Sequence, residues 1–191
     1  DYYFLKPSFS INKIQVVLNK YGETPIPSYI KHSPLSEKKL RSEYQAIFAK
    51  NLGSVAAPTA SLHFTKTLLE RLKKDGHTIK FITLHVGLGT FAKVTEENIK
   101  NKSLHNEFYS IDKSTAKFLN KAKKQNRKII AVGTTSVRTL ESASNEIGEL
   151  VNLSGLTNLF IQENYKFKFV DGIVTNFHVP QSSLLMLVSA F

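Results

Sequence analysis

The chain has 191 residues, carries 26 Lys and Arg against 15 Asp and Glu for a formal net charge of +11, and contains no cysteine. A chain without cysteine has no disulfides, no Cys-ligated zinc and no thiolate nucleophile, and no apolar run reaches the roughly 18 residues of a membrane span. The positive excess favours a polyanionic partner, nucleic acid first and an anionic membrane surface second.

The N-terminal quarter predicts two helices separated by an irregular linker. Apolar residues recur at helical spacing from Ile14 to Tyr21, and again within a helix predicted from Glu37 to Ala49. Between them, at 22–34, one glycine and three prolines interrupt any regular pattern. The chain begins at Asp1 within an aromatic run and stops within an apolar helical pattern, which we expect of a piece of a longer protein.

From residue 66 onward the pattern alternates between helix and strand. A helix ending at Gly76 precedes a strand predicted at 78–86, and helices are predicted at 112–126 and at 136–147, with Ile147 facing inward. A short strand at 128–132 separates the last two helices, and the Asp171-Gly172 turn predicts a β-hairpin. This alternation predicts an α/β domain built on a mixed sheet.

The segment Gly133-Thr134-Thr135-Ser136 joins a predicted strand to a predicted helix. A glycine turn at a helix N-terminus presents N–H groups and the positive end of the helix dipole to an anion, and Arg138 could bind the same ligand. An ordinary capped helix with a surface arginine is the alternative, and from the pattern alone it is favoured. The Gly-Lys-Thr ending of a Walker A loop is absent.

The segment Gly87-Leu88-Gly89-Thr90-Phe91 also follows a predicted strand. Its glycines allow either a close backbone approach to a ligand or a plain bend at the strand end. The third glycine of a dinucleotide fingerprint is missing, so this segment gives little support to a Rossmann fold.

Three histidines, His63, His85 and His178, lie between apolar neighbours. In a strand each would point away from those neighbours, into a cleft or toward solvent, and a neutral imidazole there is suited to acid–base chemistry near pH 7. A purely structural role is equally well supported by the pattern. No histidine pair has the close spacing of metal ligands, so no metal site is predicted.

A stripe of basic residues follows one face of the helix predicted at 112–126 and continues past its end. Such a stripe either contacts a phosphate backbone or is simply a solvated face. Its members are Lys113, Lys117, Lys121, Lys124, Arg127 and Lys128.

Five stretches together resemble the S-adenosylmethionine:tRNA ribosyltransferase-isomerase family of queuosine biosynthesis. They occur in the family's order and with similar spacing over nearly the whole chain. They read TPIPSYI at 24–30, GSVAAPTASLHFT at 53–65, TLHVGLGTF at 83–91, AVGTTSVRTLE at 131–141 and TNFHVPQSSL at 175–184.

The resemblance implies a reaction in which S-adenosylmethionine is the co-substrate and no metal is needed. Its ribosyl group is transferred to 7-aminomethyl-7-deazaguanine at the wobble position of a tRNA and isomerised, giving epoxyqueuosine, adenine and methionine. The alternative is a non-catalytic RNA-binding protein on the same scaffold. A cytoplasmic monomer is expected.

The resemblance also suggests roles for the candidate residues. His63, His85 and His178 would act as acids or bases, and the basic stripe would contact tRNA. Residues expected to hold S-adenosylmethionine or orient polar groups are Gly87, Gly89, Thr90, Phe91, Gly133, Thr134, Thr135, Arg138, Glu141 and Asn176.

The architecture that the resemblance implies is a large α/β domain interrupted by a small β-barrel domain. Residues 1–21 would be the tail of the inserted barrel, 22–34 the linker, and 35–191 the large catalytic domain, incomplete at both ends. The chain departs from the family pattern at Glu43-Tyr44-Gln45 and Glu163-Asn164-Tyr165, and more mildly at Ser61 and Leu104. The first two departures put local loop geometry or RNA contacts in question.

Overall fold

The structure is a computed structural model that describes residues 6–27, 30, 32–87 and 94–191. The chain divides into two compact units, residues 1–44 and 45–191.

The first unit contains two short helices. A 3₁₀ turn at Ile11–Lys13 leads into α1, Ile14–Tyr21, and α2 spans Glu37–Glu43. The guanidinium of Arg41 donates to the carbonyls of Leu18, Asn19 and Gly22 at the end of α1, where a helix leaves its last carbonyls without internal partners. The expectation of one helix as far as Ala49 was wrong, because Tyr44 leaves the helical region with φ −85° and ψ 50°.

The second unit has five helices and five strands among the described residues, and a 3₁₀ helix at Thr59–His63 precedes them. The helices are α3 (Lys66–Lys74), α4 (Glu96–Asn101), α5 (Lys113–Lys124), α6 (Thr134–Ala143) and α7 (Ser183–Ser189), and the strands are β1 (Thr83–His85), β2 (Ser103–Ser110), β3 (Ile130–Val132), β4 (Ser154–Leu159) and β5 (Gly172–Val174).

Polar side chains fix where four of these helices begin. Each residue before the first turn accepts a hydrogen bond from the backbone N–H three positions on, which satisfies a donor that the helix itself leaves free. The capping residues are Thr65, Thr95, Asp112 and Ser182. The predicted helix at 112–126 is confirmed as α5, which begins after Asp112 and ends two residues short of the prediction.

The strands form two sheets, and the mixed α/β class is confirmed. β1, β2 and β4 make an antiparallel sheet in that order, whereas β3 and β5 pair in parallel with Ala131 opposite Ile173. The predicted hairpin at Asp171-Gly172 is therefore wrong for the described residues. The Asp171 carboxylate accepts from the Ile129 N–H at 2.8 Å and from Lys123 at 3.0 Å, which ties the start of β5 to the start of β3 instead of to a returning strand.

The core of the second unit lies around α6. Val137 and Ala143 on this helix are fully buried, as is Phe169. The prediction that α6 continues to an inward-facing Ile147 was wrong, because Ile147 is 80% exposed. The Asn145 side-chain oxygen accepts from the Ile147 and Glu149 amides in a turn that returns Leu150 to pair with Ser144.

Candidate functional site

The carboxyl ends of the two parallel strands lie side by side and define the candidate site. The Gly133 N–H, just after β3, donates to the carbonyl of Val174, the last residue of β5, at 2.8 Å. Ligands of open α/β sheets bind at the carboxyl ends of parallel strands. The chain segments that leave β3 and β5 therefore carry the residues of most interest.

Gly133 makes the turn from β3 into α6. Its φ of +87° is a conformation that glycine adopts without strain, and an added Cβ would lie 3.2 Å from Thr135 Oγ1. Because glycine has no side chain, the first turn of α6 is not closed by a side-chain cap. The positive end of this ten-residue helix, with Thr134 and Thr135 in its first turn, consequently faces the site.

His63 and Asn176 meet at this same place. His63 ends the 3₁₀ helix at 59–63, and Ala60 of that helix lies within 3.9 Å of where a Cβ on Gly133 would stand. His63 Nε2 lies 3.0 Å from Asn176 Oδ1. The structure thus brings together His63, Asn176 and the start of α6, which are distant from one another in sequence.

His178 follows two residues after Asn176. Its Nε2 is 3.1 Å from the Thr175 hydroxyl, and burial lowers the pKa of His178 below its ordinary value because the charged ring is less well solvated there. Phe177, which lies between Asn176 and His178, is fully exposed. His178 is therefore neutral near pH 7 and able to accept a proton.

His85 lies on the other sheet, at the end of β1. Its ring stacks on that of Phe108, with centroids 5.8 Å apart. The backbone of Gly53 passes so close that an added Cβ would lie 2.8 Å from His85 Nδ1. Among the described residues no hydrogen bond or ring contact joins His85 to the other two candidate histidines.

Glu107 on β2 connects Gly87 with α6, and sequence reasoning missed it. One carboxylate oxygen accepts from the Gly87 N–H at 3.1 Å, and the other pairs with the Arg138 guanidinium. The two side chains are only 3% and 8% exposed. In the sequence, Glu107 is a single acidic residue beside the strand residues Phe108 and Tyr109. That local pattern does not reveal a partner 31 positions away.

Arg138 is accordingly a buried residue, not a surface one. Its Nε donates to the Leu159 carbonyl at 3.1 Å, and its Nη2 is buried with no hydrogen-bond acceptor among the described residues. Gly89, Thr90 and Phe91, which were predicted to hold S-adenosylmethionine, lie outside the described residues.

Glu141 is 1% exposed, and its carboxylate is occupied by the segment that precedes β5. The oxygens accept from the backbone N–H groups of Lys168, Phe169 and Val170 at 2.9–3.0 Å and from the Tyr165 hydroxyl. Desolvation and this carboxylate raise the pKa of Tyr165, so its hydroxyl remains a donor. This geometry favours a structural role for Glu141, and its predicted contact with S-adenosylmethionine stays a prediction.

The basic stripe lies on an exposed face of the second unit. Lys113, Lys117, Lys121 and Lys124 line an open concavity that also includes Asn120 and Leu153. Lys124 pairs with Glu149 at 2.6 Å. Arg127 and Lys128 belong to a separate small depression with Lys123 and Asp171.

Residues 6–27, 30, 32–87 and 94–191 contain no group of three or more His, Asp or Glu side chains arranged to hold a metal ion. They also contain no helix that is both long and apolar enough to cross a membrane.

These features define an α/β protein with a polar site at the carboxyl ends of a parallel strand pair, beside a helix N-terminus and two histidines. The model of the queuosine biosynthesis protein family matches residues 4–191. The chain belongs to that family.

Curated relatives are about 51% identical to this chain over the aligned residues. An S-adenosylmethionine:tRNA ribosyltransferase-isomerase from Thermoanaerobacter sp. (strain X514) is 52% identical over 177 residues, covering 92% of this chain and 50% of the relative. The protein of the same name from Caldanaerobacter subterraneus subsp. tengcongensis is 51% identical over 175 residues, again covering 92% of this chain and 50% of the relative. The chain therefore spans about half the length of the curated relatives it matches.

A solved structure is similar as well. The crystal structure of S-adenosylmethionine tRNA ribosyltransferase from Thermotoga maritima superposes with a TM-score of 0.52 at 39% identity. The match covers 69% of this chain and 40% of the solved chain.

Proposed function

We propose that the complete protein transfers the ribosyl group of S-adenosylmethionine to 7-aminomethyl-7-deazaguanine at the tRNA wobble position and isomerises it. The products are epoxyqueuosine, adenine and methionine. The relatives' names and the family assignment support the enzyme class. The observation that carries the proposal to this chain is the convergence of His63, Asn176 and the start of α6 at the ends of β3 and β5.

The reaction needs groups that move protons in a site where the reacting atoms are positioned. The sulfonium acidifies the C5′ protons of the ribosyl group, so a neutral base is required there, and adenine leaves more easily when it is protonated. His178, whose pKa is lowered by burial, is neutral near pH 7 and suits the base. His63 is more exposed and can exchange protons with substrate or solvent.

The start of α6 supplies the electrostatic part of the site. The N–H groups of its first turn and its dipole stabilise negative charge, which suits the methionine carboxylate or a tRNA phosphate. Gly133 permits a close approach because a Cβ at that position would already crowd Thr135. The chain's own residues thus bind and orient, while the sulfonium of the co-substrate supplies the activation.

We propose tRNA as the partner and the α5 stripe as one of its contacts. Lys113, Lys117 and Lys121 are exposed and have no acidic partner among the residues that the structure describes, so each is available to a phosphate. We further propose that the complete protein is a cytoplasmic monomer. In this proposal residues 35–191 belong to the catalytic domain, 22–34 to a linker and 1–21 to the inserted small domain.

The test is adenine release by the complete protein, supplied with S-adenosylmethionine and a tRNA that carries the precursor base. We expect adenine only when both substrates are present, with one ribosyl adduct on the tRNA for each adenine. A tRNA with guanine at the wobble position is the matched control. Binding of tRNA without adenine release, while a relative turns over in parallel, would instead identify a non-catalytic RNA-binding protein.

A further inference from the structure

The contact between His63 and Asn176 determines which nitrogen of the histidine is protonated. His63 Nε2 lies 3.0 Å from the side-chain oxygen of Asn176. In this arrangement the Asn176 amide oxygen faces the ring, and because a carbonyl oxygen only accepts hydrogen bonds, Nε2 carries the N–H of the neutral ring. The lone pair of the neutral imidazole is then on Nδ1.

The other histidine contact at the site has no such consequence. His178 Nε2 lies 3.1 Å from the Thr175 hydroxyl, and a hydroxyl both donates and accepts. The Thr175 contact is therefore compatible with either tautomer of His178. Asn176 and Thr175 are adjacent in sequence, so the two pairs make a matched comparison within one segment.

Both partners of the His63–Asn176 pair are attached to well-anchored backbone. His63 ends a 3₁₀ helix and is followed by Thr65, whose hydroxyl caps α3 by accepting from the Leu68 N–H at 3.1 Å. Asn176 follows β5, whose last carbonyl accepts from Gly133 at 2.8 Å. The hydrogen bond between the two side chains also restricts the orientation of the imidazole plane.

His63 is an exposed residue, so its ring is accessible from solvent. We propose that Asn176 is a positioning residue that holds His63 in its Nε2–H tautomer and leaves Nδ1 as the atom that exchanges a proton with the substrate. This role rests on the proposed function, and it replaces the direct contact with S-adenosylmethionine that the sequence predicted for Asn176. A histidine that catalyses proton transfer commonly has its tautomer set by the bond that its other nitrogen makes.

The tautomer can be measured without any turnover. The complete protein is labelled with ¹⁵N-histidine, and two-bond ¹H–¹⁵N correlation spectra are recorded at about pH 8.5, where an ordinary imidazole is neutral. His63→Gln assigns the signal. We expect His63 as a single Nε2–H tautomer in the unmodified protein and in Asn176→Asp, which keeps an acceptor, and a mixture of tautomers in Asn176→Leu. Thr175→Val should leave the His63 pattern unchanged.

Kinetics then test the positioning role. We expect Asn176→Leu to lower kcat by about tenfold or more, because a general acid or base contributes about 10²–10⁴ and loses part of that when misoriented. KM for S-adenosylmethionine should stay within about twofold, since uniform binding is retained. Asn176→Asp should recover most of the rate. Asn158→Leu is the control, because Asn158 is an exposed asparagine on β4 whose side chain donates to the Ser103 hydroxyl and lies on the other sheet.

Each outcome has one meaning. An Nδ1–H tautomer in the unmodified protein overturns the proposal, as does an unchanged kcat in an Asn176→Leu protein whose tautomer has changed. A rise in KM with an unchanged kcat would return Asn176 to a ligand-binding role and would also overturn it. The spectra report on the tautomer even if no adenine is released, so failure of the proposed function and failure of the positioning role are distinguishable.

Discussion

Replacing Glu107 by glutamine tests the buried ion pair that Glu107 on β2 makes with Arg138 on α6. The amide of the new side chain would keep an oxygen for the Gly87 N–H, but the Arg138 cation, 8% exposed, would lose its counter-charge. Breaking one side of a buried pair costs about 3–5 kcal/mol. At about 2–4 °C per kcal/mol for a domain of 150–250 residues, the thermal midpoint should fall by about 6–20 °C.

A double-mutant cycle isolates the interaction from other effects. Glu107→Gln, Arg138→Met and the double variant of the complete protein are unfolded in urea and followed by circular dichroism. The double variant has no unpaired buried charge, so it should be more stable than the sum of the single changes predicts, with a coupling of about 2 kcal/mol or more. A loss below about 1 kcal/mol in Glu107→Gln, or strictly additive losses, would refute the reasoning.

Three further predictions concern the surface and the response to pH. Changing Lys113, Lys117 and Lys121 to glutamine should lower the slope of log Kd for tRNA against log salt by about 2–3, at about 0.7–0.9 per lost phosphate contact. Three hydrogen bonds from Ser114 and Thr115 hold the pKa of the Asp112 carboxyl well below its usual range. This carboxylate therefore stabilises the fold above about pH 4, and its contribution is lost as the pH falls further. Asp112→Asn should lower the thermal midpoint at pH 7, and the difference from the unmodified protein should be smaller at pH 2.5. Burial lowers the pKa of His178, so the unfolded state binds more protons than the folded state just below about pH 6.5. The free energy of unfolding should therefore rise with pH through that window. In urea unfolding between pH 5 and 8, His178→Gln should show a flatter dependence of this free energy on pH.

The controls for these experiments come from the same chain. Lys66, Lys73 and Lys74 are exposed on α3, so replacing them removes the same charge from a different helix. An equal loss of slope in both triple variants would show that net charge alone attracts the tRNA. For Asp112, a deficit of stability that persists undiminished at low pH would contradict a role for its charge. For His178, identical pH profiles of the two proteins would do the same.

Local patterns predicted the helices well where the cap and the apolar stripe agreed. α5 follows Asp112, and its small inward residues Ala116 and Ala122 are buried as the spacing requires. The end of α6 was predicted too late, because the turn at Asn145 depends on side-chain bonds to Ile147 and Glu149 that no hydrophobic period encodes.

The parts of the fold and of the site that local patterns did not predict depend on contacts between residues distant in sequence. Asp171-Gly172 has the composition of a hairpin turn, but the Asp171 carboxylate binds Ile129, 42 positions earlier, and β5 runs parallel to β3. His63 and Asn176 were both selected from sequence, whereas the bond between them spans 113 positions and only the fold reveals it. The buried partner of Arg138 was missed for the same reason.

The hydrogen bonds that the Glu141 carboxylate accepts from backbone amides also have a consequence for hydrogen exchange. The amides of Lys168, Phe169 and Val170 belong to no helix or strand, yet all three donate to one buried carboxylate at the end of α6. Their exchange with deuterated solvent requires that carboxylate to be released, which couples it to the opening of the core. A stretch of irregular backbone should therefore exchange as slowly as the helix that holds it, and the three amides should become labelled together.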